Sequence, residues 1–231
     1  MRALLLSAIT LLAGCQAPPP GASYFPLEAG HRWAYEVTTE RENNSIARER
    51  LQLSTEGRES VNGSSAWRRR ADSGVDYWIA ADDSGIYRVA AKTDLDEQPQ
   101  PDKERRYVLK MPLVAGTEWQ ASTTAYVLER RQEFPREIRH SHAPVTMSYR
   151  IEATGQKVDT RAGRFDDCLQ VKGRAALRLF ADPVSGWRDL PLSTTEWYCK
   201  GVGLVKLQRE EPAGSAFLSG GTMTLELTAW Q

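Results

Sequence analysis

Histidines, paired carboxylates and glycine-rich turns are the features of this sequence that could do chemistry. His140 and His142 could place two imidazoles on one face of a strand and bind zinc, with Glu137 as the nearest acidic partner. A surface loop is the simpler interpretation, because no cysteine lies near them. Asp166-Asp167 fits a turn that enters a strand, where aspartate accepts local hydrogen bonds. Gly201-Val202-Gly203 has no helical pattern after it and is no dinucleotide loop. We therefore predict no catalytic residue, no metal site and no cofactor.

The first of the three cysteines follows a signal peptide. Arg2 precedes an apolar run from Ala3 to Leu12, which is too short to span a bilayer because a spanning helix needs about 20 residues. The run ends in Leu12-Ala13-Gly14-Cys15, which resembles the lipobox of bacterial lipoproteins. The resemblance implies a diacylglycerol thioether on Cys15, usually with an N-acyl chain. The alternative is a secretory signal peptide followed by an unmodified cysteine.

A lipid on Cys15 would determine where the protein resides. More than one acyl chain is needed for stable anchoring, so a doubly or triply acylated cysteine should hold the protein on a membrane. In the sorting pattern of lipoproteins, an aspartate after the cysteine favours the inner membrane, whereas this chain has Gln16. We therefore expect the periplasmic leaflet of the outer membrane. The proline-rich residues Gln16 to Ser23 favour polyproline II, which makes a spacer of about 25 Å at most.

Formal charge is balanced. The chain carries 30 Lys and Arg residues against 30 Asp and Glu residues, and without Arg2, which leaves with the signal peptide, its formal charge is −1. That balance argues against a nucleic-acid surface, which is typically strongly basic, and does not suggest an anionic-lipid patch. The basic runs Trp67-Arg68-Arg69-Arg70 and Lys103-Glu104-Arg105-Arg106 have acidic neighbours, so we expect solvated strand faces or loops.

Alternation of apolar and polar residues predicts an all-β protein. Trp33, Tyr35 and Val37 share one parity, and similar alternation recurs further along the chain. With turn residues between such segments, the pattern predicts a curved antiparallel sheet of about a dozen strands, either a half-barrel or a sandwich-like pair of sheets. Three segments break the alternation and are predicted to be long loops or insertions: Thr93 to Arg106, Gln132 to Pro144 and Ala181 to Ser193.

An internal repeat predicts two similar halves. Pro26-Leu27-Glu28-Ala29-Gly30-His31-Arg32-Trp33 recurs as Pro112-Leu113-Val114-Ala115-Gly116-Thr117-Glu118-Trp119, with five of eight positions identical, and each copy leads into a strand. The motif is expected to be a turn that directs its tryptophan inward. Similar turn chemistry in unrelated strands is the alternative. The predicted organisation is a signal peptide at 1–14, a lipidated cysteine and tether at 15–23, and a β domain at 24–231 with repeats at 24–92 and 110–231 and a linker at 93–109.

Assigning Cys15 to a lipid leaves Cys168 and Cys199 as an even pair in an oxidising compartment. Both lie in predicted strands, so a cross-strand disulfide is plausible and would contribute about 3 to 4 kcal/mol in the chain-entropy model. A thiol nucleophile has no histidine nearby in sequence, and a two-cysteine zinc site would need further ligands.

Three motifs together carry a family resemblance. They are Tyr24-Phe25-Pro26-Leu27 with Gly30, Trp33 and Tyr35; Ala162-Gly163-Arg164-Phe165-Asp166-Asp167-Cys168-Leu169-Gln170-Val171; and Trp197-Tyr198-Cys199-Lys200-Gly201-Val202-Gly203-Leu204-Val205-Lys206. They resemble a family of bacterial lipoproteins of unknown function over most of the mature chain. The motifs consist of turn and core residues, so the resemblance implies no catalytic residues. In many members of that family a small residue before Pro-Gly occupies the position of Cys199.

Seven tryptophans are many for this length, and most are expected to pack in the core of the curved sheet. Trp187 is the exception because Val184-Ser185-Gly186-Trp187-Arg188-Asp189 lies in a predicted loop. It is a candidate to cover the mouth of a cavity or contact a partner, and the alternative is a loop that packs on its own sheet.

Three functions fit these features. The first is a non-catalytic outer-membrane lipoprotein whose concave sheet binds an apolar ligand, such as lipid, or an envelope protein. The second is a structural or assembly factor of an envelope complex, bound through sheet edges or the inserted loops. The third, an envelope hydrolase, would need catalytic residues that the fold alone brings together.

Overall fold

The computed structural model describes residues 23–131, 144–184, 186–214 and 217–231. Cys15, residues 16–22 of the spacer and the histidine pair lie outside the described residues. Among the residues described, no helix is long and apolar enough to cross a membrane. The strands are β1 (Arg32–Arg41), β2 (Ile46–Val61), β3 (Ser64–Ala71), β4 (Asp76–Asp82), β5 (Gly85–Lys92), β6 (Gln100–Lys110), β7 (Glu118–Thr123), β8 (Glu129–Arg130), β9 (Val145–Thr160), β10 (Gly163–Asp182), β11 (Gly186–Cys199), β12 (Gly203–Glu211), β13 (Leu218–Ser219) and β14 (Gly221–Trp230).

Twelve of these strands form one antiparallel sheet in the order β6-β5-β4-β3-β2-β1-β14-β12-β11-β10-β9-β7. The sheet is therefore two six-stranded meanders joined where β1 pairs with β14. Its ends approach each other at β6 and β7, where Arg106 Nε donates a hydrogen bond to the carbonyl oxygen of Ser122 at 2.7 Å. The sheet is strongly curved and nearly closed into a barrel, which confirms the predicted all-β fold with a curved antiparallel sheet.

Every second side chain of the strands points inward and fills the interior of this barrel. On β11, every second residue from Leu190 to Tyr198 is buried and the residues between them are more exposed. The largest buried cluster takes aromatic and aliphatic side chains from both meanders, including Ile79 and Leu109 from the first and Trp119 and Ile151 from the second. The concave side of the sheet is thus packed with the protein's own side chains.

The two copies of the Pro-Leu motif adopt matching structures. Gly30 and Gly116 have φ angles of 94° and 95°, a left-handed conformation that favours glycine. Each glycine N–H donates to a carbonyl of the next long strand, Gly30 to Thr55 and Gly116 to Ile151. Trp33 and Trp119, the last residues of the motifs, are both buried as predicted. Duplication of an ancestral half remains a prediction.

Two of the predicted loops are wrong in large part. The segment Thr93 to Arg106 enters β6 at Gln100, and Ala181 to Ser193 contains the end of β10 and the first half of β11. Both segments are polar because of their positions: β6 is an edge strand, and the ends of β10 and β11 have solvent on their outer face. Neither segment therefore shows a continuous apolar face. The third predicted loop lies outside the described residues except for Pro144.

The two ends of the barrel are closed by different segments. At the proximal end, which includes the start of β1, the end of β14 and the β11–β12 turn, the carbonyl oxygen of Ser23 accepts a hydrogen bond from Gly201 N–H at 2.8 Å. Residues 124–131, here named the cap segment, lie at the distal end. The cap segment contains β8, which pairs with β13. Val127, Leu128 and Leu218 are fully buried there. The chain thus enters the barrel at one end and is capped at the other.

Candidate functional site

The disulfide predicted from the cysteine count is present between Cys168 and Cys199. The two residues face each other directly on β10 and β11, and both are buried. Because both sulfur atoms are bonded, a thiol nucleophile or a two-cysteine zinc site is excluded for this pair. Among the described residues, no group of three or more His, Cys, Asp or Glu side chains could hold a metal ion.

The motifs behind the family resemblance converge at the proximal end. Tyr24 donates its hydroxyl to Asp167 Oδ1 at 2.6 Å, and burial is the main cause that raises the pKa of Tyr24 to about 12. Trp33 Nε1 donates to the carbonyl oxygen of Val202 at 2.7 Å, and Tyr35 donates to that of Leu204 at 2.9 Å. Residues far apart in sequence thereby attach the N-terminal segment to the β11–β12 turn. Their role is structural.

Arg69 contradicts the prediction that its basic run is solvated. Its guanidinium is buried between the rings of Phe25 and Trp33, with Cζ 4.1 and 4.4 Å from the ring centroids. Nη2 donates to the carbonyl oxygen of Pro26 at 2.7 Å, while Nε has no hydrogen-bond partner among the residues that the structure describes. Burial lowers the pKa of Arg69 to about 10. The parity of β3 was the available signal, because Arg69 shares a face with Ala71, which is buried.

Two buried carboxyl groups lie further inside the barrel. Glu196 accepts hydrogen bonds from the hydroxyls of Tyr198 at 2.6 Å and Thr194 at 3.3 Å, and burial raises the pKa of Glu196. Glu211 pairs with Arg209, with 2.5 Å between Arg209 Nε and Glu211 Oε1. Neither carboxyl lines any of the surface depressions described below. We assign both to the packing of the core.

Glu211 also holds the cap segment in place. Its carboxylate accepts the backbone N–H groups of Tyr126, Val127 and Leu128 at 2.7 to 3.0 Å. Charged acceptors make stronger hydrogen bonds than neutral ones, so this carboxylate orders three consecutive residues. The alternation along β12 could have indicated that Glu211 is buried, because Arg209 and Glu211 lie on the same face as buried Val205 and carry opposite charges.

Trp187 lies in a strand, and the prediction that it belongs to a loop is wrong. It pairs across the hairpin with Phe180 on β10, with ring centroids 6.1 Å apart at an angle of 74°. Both side chains are exposed, Trp187 by 63% and Phe180 by 40%. The opposite face of the hairpin, with Leu177 and Leu190, packs into the core. This outer aromatic pair, Phe180 with Trp187, is here named the distal pair.

Two of the depressions on the described surface lie over strands of the sheet. One of about 500 Å³ is at the proximal end of the first and last strands, and its lining comprises Arg32, Trp33, Ala34, Gln52, Leu53, Ser54, Arg70, Ala71, Asp72, Ala229, Trp230 and Gln231. The other, of about 360 Å³, lies over β7, β9 and β10. Its lining includes acidic and basic side chains such as Glu118, Arg150 and Lys172.

Comparison with known proteins finds solved structures that resemble this chain at low sequence identity. No protein-family model matches the chain, and no curated protein matches it. A solved structure of a candidate lipoprotein from Parabacteroides distasonis has a TM-score of 0.48 and 15% identity over 90% of this chain and 98% of that chain. A candidate exported protein with a YmcC-like fold from Bacteroides fragilis has a TM-score of 0.40 and 12% identity over 91% of this chain and 99% of that chain.

Proposed function

We propose that this protein is a non-catalytic envelope lipoprotein, anchored in the outer membrane through Cys15, that binds an envelope protein with the distal pair. The observation that carries the proposal is the exposure of Trp187 and Phe180 on the outer face of a hairpin whose inner face is packed. Tryptophan is enriched where protein surfaces bind partners, because it contributes a large apolar area.

The location of the distal pair indicates that its partner is a protein and not the anchoring membrane. The tether joins the barrel at Ser23, beside the β11–β12 turn at the proximal end. Phe180 lies thirteen residues further along β10 than Asp167, which contacts Tyr24 at that end. At roughly 3.3 Å per residue, the distal pair is about 40 Å along the strand from the tether.

The packed interior favours binding through the outer surface of the sheet and disfavours an apolar ligand on its concave side. The interior positions that such a ligand would occupy are filled by buried side chains such as Met147, Ile151 and Leu169. Association through a sheet edge has little support at β6, since Lys103, Glu104 and Arg105 are exposed there and charged edge strands resist pairing.

Crosslinking in cells tests the proposal. A photoreactive amino acid at position 187 should trap one specific envelope protein, and Phe180→Ala should reduce the yield of that adduct. The same amino acid at Val114, which is also exposed but lies in the β6–β7 loop at the other end, is the control. Adducts with phospholipid alone, or the same protein trapped equally from both positions, would contradict the proposal.

A further inference from the structure

The proximal depression is built from two rows of outward side chains that cross four strands. The first row follows the strand pairing from Gln231 through Arg32 and Ser54 to Arg70. Because alternate residues of a strand share a face, these side chains all project from the outer surface of the sheet. Arg32 and Arg70 are two strands apart, about 10 Å, so their long side chains can converge on one group between them.

The second row supplies the floor and an acidic rim. Ala229 pairs with Ala34, Ala34 pairs with Gln52, and the N–H of Asp72 donates to the carbonyl oxygen of Gln52. The two alanines leave the space that makes the depression, whose volume is about 500 Å³. Asp72 lies at the side of Arg70, so a carboxylate and two guanidinium groups line the same hollow.

Within the described part of the chain, the charges in the depression take no part in ion pairs of the fold. None of the ion pairs among the described residues involves Arg32, Arg70 or Asp72. Guanidinium groups bind phosphate through paired hydrogen bonds, and a carboxylate binds an ammonium group. The arrangement therefore matches a ligand with a phosphate beside an ammonium group, and a purely anionic ligand would meet the carboxylate of Asp72.

The place of the depression in the molecule indicates the source of such a ligand. Trp33, whose strand lines the hollow, donates a hydrogen bond to the β11–β12 turn, and the same turn also holds Ser23, the last residue of the tether. Trp230 lies at the rim and is 46% exposed. Tryptophan is enriched at the level of lipid headgroups. We infer that this depression binds the phosphoethanolamine headgroup of a phospholipid in the membrane that carries the anchor.

Native mass spectrometry of the full lipidated protein, released from detergent micelles, tests this inference. Titration with short-chain phosphatidylethanolamine should give a one-to-one adduct, and Arg32→Ala with Arg70→Ala should weaken it at least roughly tenfold. The matched control is Arg48→Ala with Arg50→Ala, which removes two exposed arginines of β2 outside the depression. Equal binding by the wild type and the Arg32/Arg70 variant would overturn the inference.

Headgroup specificity provides a second, independent measurement. The wild type should prefer phosphatidylethanolamine to phosphatidylglycerol, and Asp72→Asn should abolish that preference because the partner of the ammonium group is gone. A preference unchanged by Asp72→Asn would overturn the assignment of Asp72. Free phosphoethanolamine that competes at the same concentration as the short-chain lipid would overturn the membrane as the source. The proposed partner at the distal pair is unaffected by any of these outcomes.

Discussion

Single buried polar residues decide how this barrel is closed. Arg69 stacks between Phe25 and Trp33 and binds the Pro26 carbonyl, so one side chain joins the N-terminal segment to the wall. A desolvated cation over an aromatic ring contributes about 2 kcal/mol or more to stability. The cost is burial of a charge for which no ion pair is found among the described residues.

Replacing Arg69 should therefore destabilise the protein measurably. We expect Arg69→Ala to lower the free energy of unfolding by about 2 to 4 kcal/mol, because it removes two ring contacts and a hydrogen bond and leaves a cavity. Denaturant unfolding measures the change. Arg68 and Arg70 adjoin it, and Arg70→Ala is the control since Arg70 is exposed, with an expected change within about 0.5 kcal/mol. Equal effects of the two substitutions would show that the stacking contributes nothing.

Glu196 predicts a pH dependence of stability. Its pKa in the folded protein is raised by burial above the ordinary value of 4.5. The folded state therefore binds more protons than the unfolded state above pH 4.5, so the stability contributed by this group falls as pH rises through that range. Glu196→Gln should remove this dependence, so the wild type should lose stability relative to the variant between about pH 4.5 and neutrality. Parallel curves of unfolding free energy against pH would refute the assignment.

The short segment that caps the barrel is held by side-chain contacts more than by strand pairing. The cap segment has no long ladder of its own: β8 contains two residues and pairs only with β13 within the described chain. Glu211 accepts three of its backbone N–H groups while paired with Arg209, and Arg41 donates to the carbonyl oxygen of Val127. Loss of this carboxylate would leave the buried guanidinium unpaired.

The cap segment should open when Glu211 is replaced. Breaking a buried ion pair from one side costs about 3 to 5 kcal/mol, so Glu211→Ala should destabilise the protein by that amount. Hydrogen exchange should then speed up first at residues 124–131, before the central strands. Glu210→Ala is the matched control, because Glu210 is the exposed neighbour on β12. Uniform acceleration over the whole sheet, with no early change in the cap segment, would argue against this role.

The whole molecule has two distinct ends, and the proposed anchor acts on one of them. The N-terminal segment is held at the proximal end, and the distal pair lies about 40 Å away along β10. A lipid on Cys15 would set the proximal depression near headgroups and the distal pair toward the periplasm. Both proposed surfaces therefore depend on the anchor for their orientation.

The anchor can be tested directly. Cells fed an alkyne fatty acid should label the wild type, and Cys15→Ser should abolish the label while the disulfide between Cys168 and Cys199 still forms. The wild type should fractionate with the outer membrane, whereas Gln16→Asp should shift it toward the inner membrane. Label retained by the Cys15→Ser variant would show that the lipid is attached elsewhere or that the label is not specific.

Local sequence patterns predicted much of this protein, because strand alternation and turn motifs depend on neighbouring residues in the chain. Alternation along strands identified an all-β curved sheet, the Pro-Leu motif identified two buried tryptophans, and the cysteine count identified the Cys168–Cys199 bridge. The same local rules failed for Gln100 to Arg106 and for the hairpin around Trp187, since a strand with solvent on one face and few neighbours has no apolar pattern to reveal it.

Tertiary structure alone decided which polar groups became buried and which surface side chains came together. Arg69 lies in a basic run that was predicted to be solvated, and it is buried because Phe25 and Trp33, 44 and 36 positions earlier, meet around it. Arg32, Arg70 and Asp72 form one depression only because β1, β2 and β3 lie in register. Burial and juxtaposition depend on pairing between distant strands, and no single stretch of sequence contains that information.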